Sequence, residues 1–342
     1  MGWLRLDSQA FKKGFDTIMG EKIVSDASNR KVAIIGAGYV GASITYALSV
    51  KGLAQEIVLI ERPEAIEKCK AEINDIRHGI PCIGSSNIYS GRYADIADSD
   101  LIIMAAGRNR RKDETRLEMM SDNLKTAVGV ADAIKKYYTK GIVLIVTNPV
   151  DIITKAMTEW LALPDGKVFG TGCMLDSSRL ANVIADYVGL SSDVINAYVI
   201  GEHGDGQIVL WSKMTIAGIP IKEYCNMTNM LFTDKIRIEM EQKVRQMGTE
   251  IIRGKGRTHY GISTCVCYIA DAILNRRPTI VSVTSVLHGE YGINGVALSL
   301  PSIIDSYGVE RRLVDRLDDY ELRMLAEAFE MFDDIWRSSV GA

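Results

Sequence analysis

The sequence contains no hydrophobic run that approaches the ~20 residues a helix needs to cross a bilayer. Residues 1–22 also lack the continuous apolar core of a secretory signal peptide. Neither sign of charge predominates, because 40 Lys and Arg stand against 43 Asp and Glu. Nothing therefore marks the whole surface for nucleic acid or an anionic membrane, and we predict a cytoplasmic protein that binds neither.

Cysteine and histidine are both sparse, and neither shows the spacing of a metal site. The six cysteines include no CxxC pair, so we predict buried free thiols in a reducing cytosol and no bound metal. Cys265 and Cys267 share a face if they lie in a strand and lie apart if they lie in a helix. The chain has four histidines: His78, His203, His259 and His288.

The chain has enough length and apolar content for two domains, with 342 residues of which 47 % are hydrophobic. We predict an arm at residues 1–30 that either docks on the body or on another subunit, or is frayed. A first domain is predicted at 31–172 and a second at 173–342.

Short apolar segments without polar alternation recur through the first domain and are separated by helix-like segments. Such strands are typical of a parallel sheet that is covered on both faces, and right-handed crossovers make it doubly wound. The sequence therefore predicts an α/β fold with a doubly wound (Rossmann) parallel sheet. The predicted strands are 31–35, 56–60, 101–104 and 142–146, and the predicted helices are 43–52, 63–79 and 117–137.

The regular alternation fades after residue 172, which predicts a second domain of mixed α+β type. Strands are predicted at 194–200, 207–212 and 279–287, and helices at 232–254 and 319–338.

The segment GAGYVG at 36–41 follows the first predicted strand and opens a helix. In that context Gly36 permits the tight turn, Gly38 lets the backbone approach a pyrophosphate, and Gly41 allows close packing of helix and strand. Glu61 ends the next strand and is placed to accept hydrogen bonds from ribose hydroxyls, which favours NAD over NADP. Arg62 beside it weakens that preference. The alternative is a tight turn without a ligand.

Five cationic residues lie within nine positions, directly after the apolar run LIIM at 101–104. They are either a solvated loop or a site for an anion. The five are Arg108, Arg110, Arg111, Lys112 and Arg116.

Asp176, Arg179 and His203 lie in the segments GCMLDSSRL and VIGEHGDG. A carboxylate that pairs with a histidine fixes the ring and stabilises the imidazolium, which makes the histidine a good proton shuttle. Hydride transfer to a carbonyl requires such a proton donor and a cation that polarises the carbonyl. The spacing alone leaves an ordinary turn histidine open as the alternative for His203.

At these residues the sequence resembles the lactate/malate dehydrogenase family of NAD-dependent L-2-hydroxyacid dehydrogenases. The resemblance covers nearly the whole chain after residue 30 and includes several further segments in order, and the C-terminal part is more similar to lactate dehydrogenases. These segments are TNPVD at 147–151, KGRTHYGI at 255–262 and HGEYGINGVALSLPSI at 288–303.

The resemblance implies roles for individual residues of the substrate site. His203 is expected to be the acid/base and Asp176 to orient it, while Arg116 polarises the substrate carbonyl. Arg179 is expected to bind the substrate carboxylate through its guanidinium fork. Asn148 is expected to contact substrate and nicotinamide ribose, and Thr258 to line the small-substituent side of the site.

For the cofactor, the resemblance implies contacts with the glycine segment, the ribose-binding acid and three residues near the nicotinamide. These residues are Gly36, Gly38, Tyr39, Val40, Gly41, Glu61, Asn148, Thr171 and Ile262. It also implies a small α-keto or 2-hydroxy acid as substrate and a homo-oligomer, either a tetramer or a dimer.

The chain departs from the family pattern at a few positions. Glu61 replaces the more usual Asp, and His259 beside Thr258 is unusual. Ala181 and Asn196 stand where many bacterial lactate dehydrogenases have the arginine and histidine that bind a sugar bisphosphate. We therefore predict no such activator.

Two residues give opposite indications about the substrate. Arg110 matches the loop position where malate enzymes tend to have Arg and lactate enzymes Gln, whereas Thr258 and its surroundings resemble lactate enzymes. A nearby acid, Asp113 or Glu114, could pair with Arg110 and leave the site to pyruvate. We favour lactate/pyruvate, with malate/oxaloacetate as the alternative.

Two other functional classes are more distant. An NAD-dependent glycosidase has a related fold and would use a metal, for which Cys173 and His203 are conceivable ligands. A non-catalytic NAD-binding protein is the other class. The segment GEHGDG and the carboxylate-binding Arg179 argue against the glycosidase. The presence of His203, Asp176, Arg179 and Arg116 together argues against a non-catalytic protein.

Overall fold

A computed structural model describes residues 30–84, 86–108 and 116–340, except for the side chains of residues 116, 117, 339 and 340. Apart from Arg30, the predicted N-terminal arm lies outside the described residues. None of the described helices is both long and apolar enough to span a membrane.

The first half of the chain forms a six-stranded parallel arrangement in the order β3-β2-β1-β4-β5-β6. The order reverses between β1 and β4, which is where doubly wound sheets bind their ligands. The strands are β1 (Lys31–Ile35), β2 (Glu56–Ile60), β3 (Asn87–Gly91), β4 (Leu101–Met104), β5 (Ile142–Ile145) and β6 (Val168–Gly170).

Side chains of these strands alternate between two separate apolar cores. In β1, Val32 and Ile34 belong to the core on one face, and Ala33 and Ile35 to the core on the other. This two-sided burial explains why the strands have no polar alternation. The helices of this half are α1 (Tyr39–Val50), α2 (Ile66–Ile83), α3 (Arg116–Tyr137) and α4 (Val150–Leu161).

Antiparallel strands of the second half extend the same sheet from β6 through β12, β13 and β8 to β9, while β14 pairs with β13. A small separate sheet has the order β11-β10-β7. The strands are β7 (Ile195–Asn196), β8 (Val199–Gly201), β9 (Gln207–Val209), β10 (Thr215–Ile216), β11 (Ile219–Pro220), β12 (Thr279–His288), β13 (Asn294–Asp305) and β14 (Gly308–Arg312). The helices are α5 (Met174–Val188), α6 (Ile221–Met227), α7 (Asp234–Lys255), α8 (Tyr260–Leu274) and α9 (Asp319–Val340).

The predicted fold class, a doubly wound parallel sheet followed by a mixed half, is confirmed, and most differences lie at element boundaries. Helix α1 begins at Tyr39 directly after Gly38, earlier than the predicted 43, so Val40 and Gly41 are helical. The single strand predicted at 194–200 is wrong. It is two short strands, because β7 pairs with β10 in the small sheet and β8 pairs with β13 in the large one.

Cys265 and Cys267 lie in helix α8, and both are buried. All six cysteines are free, as predicted, and five of them are buried; the exception is Cys82.

The C-terminal helix α9 closes the core of the second half, and we expect Phe332 to contribute most of its anchoring. Phe332 is fully buried in that core, whereas the adjacent Met331 is 37 % exposed. Phe332→Ala should lower the free energy of unfolding by about 3–5 kcal/mol through lost burial and a residual cavity. Met331→Ala should change it by less than about 1 kcal/mol. Urea unfolding at one fixed protein concentration measures both, and equal losses would contradict the assignment.

Candidate active site

Two of the three glycines in GAGYVG have no room for a Cβ atom. Gly36 has φ of +108°, and a Cβ there would lie 2.7 Å from the backbone nitrogen of Ala106. A Cβ on Gly41 would lie 1.9 Å from the carbonyl oxygen of Gly36. These contacts bring the start of α1 close against β1 and β4.

Gly38 differs, because a Cβ added there would meet no atom within 4 Å. It is the residue that precedes α1, and no side chain caps the first N–H groups of that helix. A helix N-terminus with free N–H groups beside open space fits a phosphate group. The space at Gly38 therefore fits the pyrophosphate of a dinucleotide.

Glu61, at the end of β2, turns its carboxylate towards this turn. Its Oε2 accepts a hydrogen bond of 2.8 Å from the Ala37 N–H, and its Oε1 accepts one of 2.9 Å from the Arg62 N–H. The carboxylate thus lies at the end of the neighbouring strand, where the ribose-binding acid of such folds lies. Arg62 extends into solvent and has its Nε 3.7 Å from Glu61 Oε1.

Asp176 lies in the first turn of α5 and contacts both other members of the predicted constellation. Its Oδ2 is 2.6 Å from Nδ1 of His203, and its Oδ1 accepts a hydrogen bond of 3.0 Å from Arg179. The three residues that the sequence singled out are therefore brought together around one carboxylate. The Asp176 side chain is 3 % exposed, whereas that of His203 is 25 % exposed.

The charges of this group shift its pKa values in opposite directions. Burial opposes the charged form of His203, but the negative charge of Asp176 and its hydrogen bond outweigh it and raise the pKa of His203 to about 9. Burial likewise opposes the charged form of Asp176, but His203 and then Arg179 outweigh it and hold the pKa of Asp176 below its ordinary value. The imidazolium and the carboxylate therefore stabilise each other.

A second buried carboxylate, Asp151 at the start of α4, holds the backbone of His203. Its Oδ2 accepts a hydrogen bond of 2.7 Å from the His203 N–H, and its Oδ1 accepts one from the hydroxyl of Thr284. Burial and then the charge of Glu202 raise the pKa of Asp151 to about 7. Glu202 in turn accepts a hydrogen bond of 3.0 Å from the Gly206 N–H, which shapes the turn after His203.

Sequence reasoning missed the roles of Asp151 and Glu202, although both lie in quoted segments, TNPVD and GEHGDG. The available signal was an acid close to an assigned residue in each segment: Glu202 directly precedes His203, and Asp151 follows Asn148 by three residues. What the sequence lacked was the pairing that brings Thr284, in β12, against the start of α4.

The cation-rich segment after β4 is described only at its start. The guanidinium of Arg108 forms an ion pair with Asp122 in α3, at 2.8 Å, so this cation has a structural partner. Asn123 joins the same segment to the end of β5, because its amide donates to the carbonyls of Arg108, at 3.1 Å, and Asn148, at 2.7 Å. Arg110, Arg111 and Lys112 lie outside the described residues. Arg116 begins α3, and its side chain is not described.

The remaining predicted contacts lie at the ends of elements around this centre. Asn148 is exposed after β5, and Thr171 is buried directly after β6. Thr258 lies two residues before the start of α8, and Ile262, within α8, packs against the first apolar core. The start of α8 lies against the start of α5, since a Cβ on Gly261 would be 3.1 Å from Leu175.

Two models of one protein family cover almost all of the described chain. Residues 30–170 match the lactate/malate dehydrogenase NAD binding domain, and residues 173–335 match the alpha/beta C-terminal domain of the same family. The chain belongs to the lactate/malate dehydrogenase family. The predicted family, its NAD cofactor and its class as an NAD-dependent dehydrogenase are thereby confirmed.

Several curated relatives of this chain are L-lactate dehydrogenases. The enzyme of Acetivibrio thermocellus is 36 % identical over 306 residues, which cover 90 % of this chain and 96 % of that protein. The enzyme of Thermoanaerobacterium saccharolyticum is 37 % identical over 305 residues, covering 89 % and 97 %.

Solved structures agree. The ligand-bound minor L-lactate dehydrogenase of Enterococcus mundtii superposes with a TM-score of 0.87 at 32 % identity, covering 91 % of this chain and 98 % of that one. The Cryptosporidium parvum lactate dehydrogenase, complexed with lactic acid and NAD, superposes with a TM-score of 0.86 at 29 % identity, covering 92 % and 99 %.

Ala181 and Asn196, the two positions from which no sugar bisphosphate activator was predicted, both carry uncharged side chains. Ala181 lies in α5 among the apolar side chains of the second half, and Asn196 is exposed in β7. The absence of such an activator stays a prediction.

The thiol of Cys173, a conceivable metal ligand in the glycosidase alternative, contacts backbone carbonyls. Its Sγ is 3.8 Å from the carbonyl oxygens of both Ile200 and Gly201. Burial and then the charge of Asp176 raise the pKa of this thiol well above its ordinary value, so the thiolate form that binds metals is disfavoured. Within the described ranges, no three His, Cys, Asp or Glu residues are grouped so as to hold a metal ion.

A cavity of about 330 Å³ lies between α9 and the start of α4. Asp151 and Glu202 line it together with apolar side chains such as Ile152 and Phe332. Arg179, Asn148 and Thr258, the predicted substrate-binding residues with described side chains, do not line this cavity. The cavity is therefore separate from the substrate position that these residues imply.

The geometry of the glycine turn predicts different effects for two Gly→Ala variants of this dehydrogenase. Gly38→Ala should fold like the wild type, because its φ of −75° suits alanine and its Cβ meets nothing. It should nevertheless weaken NADH binding by about tenfold or more, because the methyl group enters the phosphate space. Gly41→Ala should lower Tm by several degrees, through a clash that costs about 1–3 kcal/mol.

Thermal melts and NADH fluorescence titrations of both variants test this pair. Wild-type NADH affinity in Gly38→Ala would show that the phosphates do not approach Gly38.

Proposed function

We propose that the chain is an L-lactate dehydrogenase that interconverts L-lactate and NAD with pyruvate, NADH and a proton. The contact of Asp176 with both His203 and Arg179 carries this proposal, because it joins a proton donor to a carboxylate-binding cation. The L-lactate dehydrogenase relatives support lactate as the substrate.

Arg179 is the group suited to bind the substrate carboxylate. Its side chain is 13 % exposed, and the contact with Asp176 uses one terminal nitrogen. The planar guanidinium fork matches a carboxylate in a bidentate geometry. Binding there fixes the α-keto group close to His203, which shares Asp176 with Arg179.

His203 supplies the proton in the direction of pyruvate reduction. Its Nδ1 is held by Asp176, so Nε2 is the nitrogen that faces the substrate oxygen and donates to it. NADH, when bound, would supply the hydride from its nicotinamide ring. In lactate oxidation the neutral imidazole accepts the hydroxyl proton at the same Nε2.

Three further residues are assigned from the family resemblance. Arg116 is proposed to polarise the substrate carbonyl, and Asn148 and Thr258 are proposed to line the site. A cytoplasmic location, a homo-oligomeric assembly and the division into domains near residue 172 are part of the same proposal.

Arg110 favours a second candidate, malate dehydrogenase. A guanidinium at this loop position can pair with the second carboxylate of oxaloacetate, and pyruvate has no such group. The relatives favour pyruvate, so we expect Arg110 to add a secondary activity towards oxaloacetate.

The raised pKa of His203 predicts the pH dependence of both directions. Reduction of pyruvate needs the imidazolium, so kcat/KM should be level below a pH of about 9 and fall above it, while lactate oxidation should rise through the same range. Asp176→Asn removes the main charge that holds this pKa up. The pH at which kcat/KM for pyruvate begins to fall should then decrease, towards the ordinary histidine pKa of about 6.5. The value of kcat/KM itself should fall about 100-fold or more.

Asp186→Asn is the matched control for Asp176→Asn, because it removes an equal charge from an exposed position of the same helix. Its profile should equal that of the wild type. If kcat/KM of Asp176→Asn fell at the same pH as in the wild type, a group other than His203 would be responsible for the pH dependence.

The substrate assignment predicts that kcat/KM for pyruvate exceeds kcat/KM for oxaloacetate in the wild type. Arg110→Gln should lower the oxaloacetate value by about 10- to 100-fold, the effect of one charge-assisted hydrogen bond. It should leave the pyruvate value within about threefold. A wild-type preference for oxaloacetate would instead identify a malate dehydrogenase, and absent NADH oxidation with all short α-keto acids would support a non-catalytic protein.

A further inference from the structure

Three cationic side chains from two distant parts of the chain converge on two aromatic rings beside the glycine turn. The guanidinium carbon of Arg257 lies 3.6 Å from the ring centre of Tyr39, and Nζ of Lys68 lies 5.1 Å from the same ring centre. Nζ of Lys255 lies 4.0 Å from the ring centre of Tyr260. The first ring belongs to α1 and the second to α8, so the cations lie where the two helices begin.

These cations lack acidic partners in the part of the chain that the structure describes. No ion pair there involves Lys68, Lys255 or Arg257, whereas Arg108 and Arg179 each have a carboxylate within 4.0 Å. Lys68 and Lys255 are exposed, and Arg257 is half-buried. An aromatic face attracts a cation only weakly when solvent is near. Three like charges in one place therefore leave a positive field that an anion would stabilise.

His259 lies inside the same cluster and has an unsatisfied nitrogen. It is 8 % exposed, its ring stacks on Tyr260 with centres 4.0 Å apart, and it meets the edge of Tyr39 at 5.9 Å. Its Nδ1 is buried without a hydrogen-bond partner. Burial, and then the charges of Lys255 and Arg257, lower the pKa of His259. A buried polar atom of this kind calls for a partner that the protein alone does not supply.

The cluster borders the space that fits the cofactor phosphates. Tyr39 follows Gly38, where an added Cβ would meet no atom within 4 Å. A phosphate group at Gly38 would lie one residue from the ring that carries Arg257. A single phosphate group at the glycine turn could therefore also be stabilised by the positive charge of this cluster.

We propose that Arg257 and His259, from the segment that precedes α8, bind the pyrophosphate of the dinucleotide together with the glycine turn. In the free protein Arg257 rests on the Tyr39 ring, and in the complex its guanidinium moves to the phosphate oxygens. His259 gains an acceptor for its unsatisfied nitrogen from the same group. The bound cofactor thereby joins the start of α1 to the start of α8. This inference rests on the NAD-dependent activity proposed above.

The test compares ligands with and without phosphate in the full-length protein. NADH, ADP-ribose and adenosine are titrated against the wild type, Arg257→Ala and Arg257→Lys. Arg253→Ala is the matched control, because Arg253 is an exposed cation one turn earlier in α7. Arg257→Ala should raise Kd for NADH and ADP-ribose by about tenfold or more, and leave that for adenosine within about twofold. Arg257→Lys should recover part of the loss, and Arg253→Ala should change none of the three.

His259→Phe keeps the stacked ring and removes both nitrogens. It should raise Kd for NADH and ADP-ribose about threefold or more without changing that for adenosine. Raising the salt concentration should weaken NADH binding less in Arg257→Ala than in the wild type, because one charged contact is lost.

Unchanged Kd values in Arg257→Ala, with or without a lower Tm, would overturn the proposal. The cluster would then only stabilise the packing of α1 against α8. Equal losses for all three ligands would overturn it too, because the effect would not depend on phosphate. A wild-type protein that binds none of the ligands would instead contradict the proposed function itself.

Discussion

The buried carboxylate of Asp176 is the charge on which the candidate site depends. An ionised carboxylate that is almost fully removed from water is stable only when each oxygen has a strong partner. One oxygen contacts His203 and the other Arg179, so two groups with different tasks are held by one residue. The first turn of α5 places this residue, and a serine of β13 fixes that turn: the hydroxyl of Ser299 accepts a hydrogen bond of 3.0 Å from the Cys173 N–H.

His203 lies among three carboxylates, since Asp151 and Glu202 are buried nearby in addition to Asp176. This excess of negative charge stabilises the imidazolium, and alone it would repel an anionic substrate. Arg179 provides the compensating positive charge on the opposite side of Asp176. A proton donor and an anion-binding group can therefore act within one small space, because the carboxylate between them screens the repulsion of the two cations.

The two halves of the site meet because one sheet runs through both halves of the chain. β6 pairs in parallel with β5 and antiparallel with β12, so the cofactor side and the substrate side share a continuous backbone frame. The residues at strand ends, such as Asn148 after β5 and Thr171 after β6, are positioned by this frame. The packing of α1 along α8 adds a second connection, close to the glycine turn.

The sequence by itself determined the local features of this protein. Apolar strands without polar alternation indicated the doubly wound sheet, GAGYVG with Glu61 indicated the dinucleotide turn, and the segments around Asp176, Arg179 and His203 indicated the reacting groups. The first two features depend on neighbours in the chain, so periodicity and motif spacing report them, whereas the roles of Asp176, Arg179 and His203 followed from the family resemblance. The tertiary structure alone decided which distant residues meet: Thr284 with Asp151, Ser299 with Cys173, and Arg257 with Tyr39. Such pairs depend on strand order and helix packing across more than a hundred residues, and no local pattern encodes a pairing between segments that far apart.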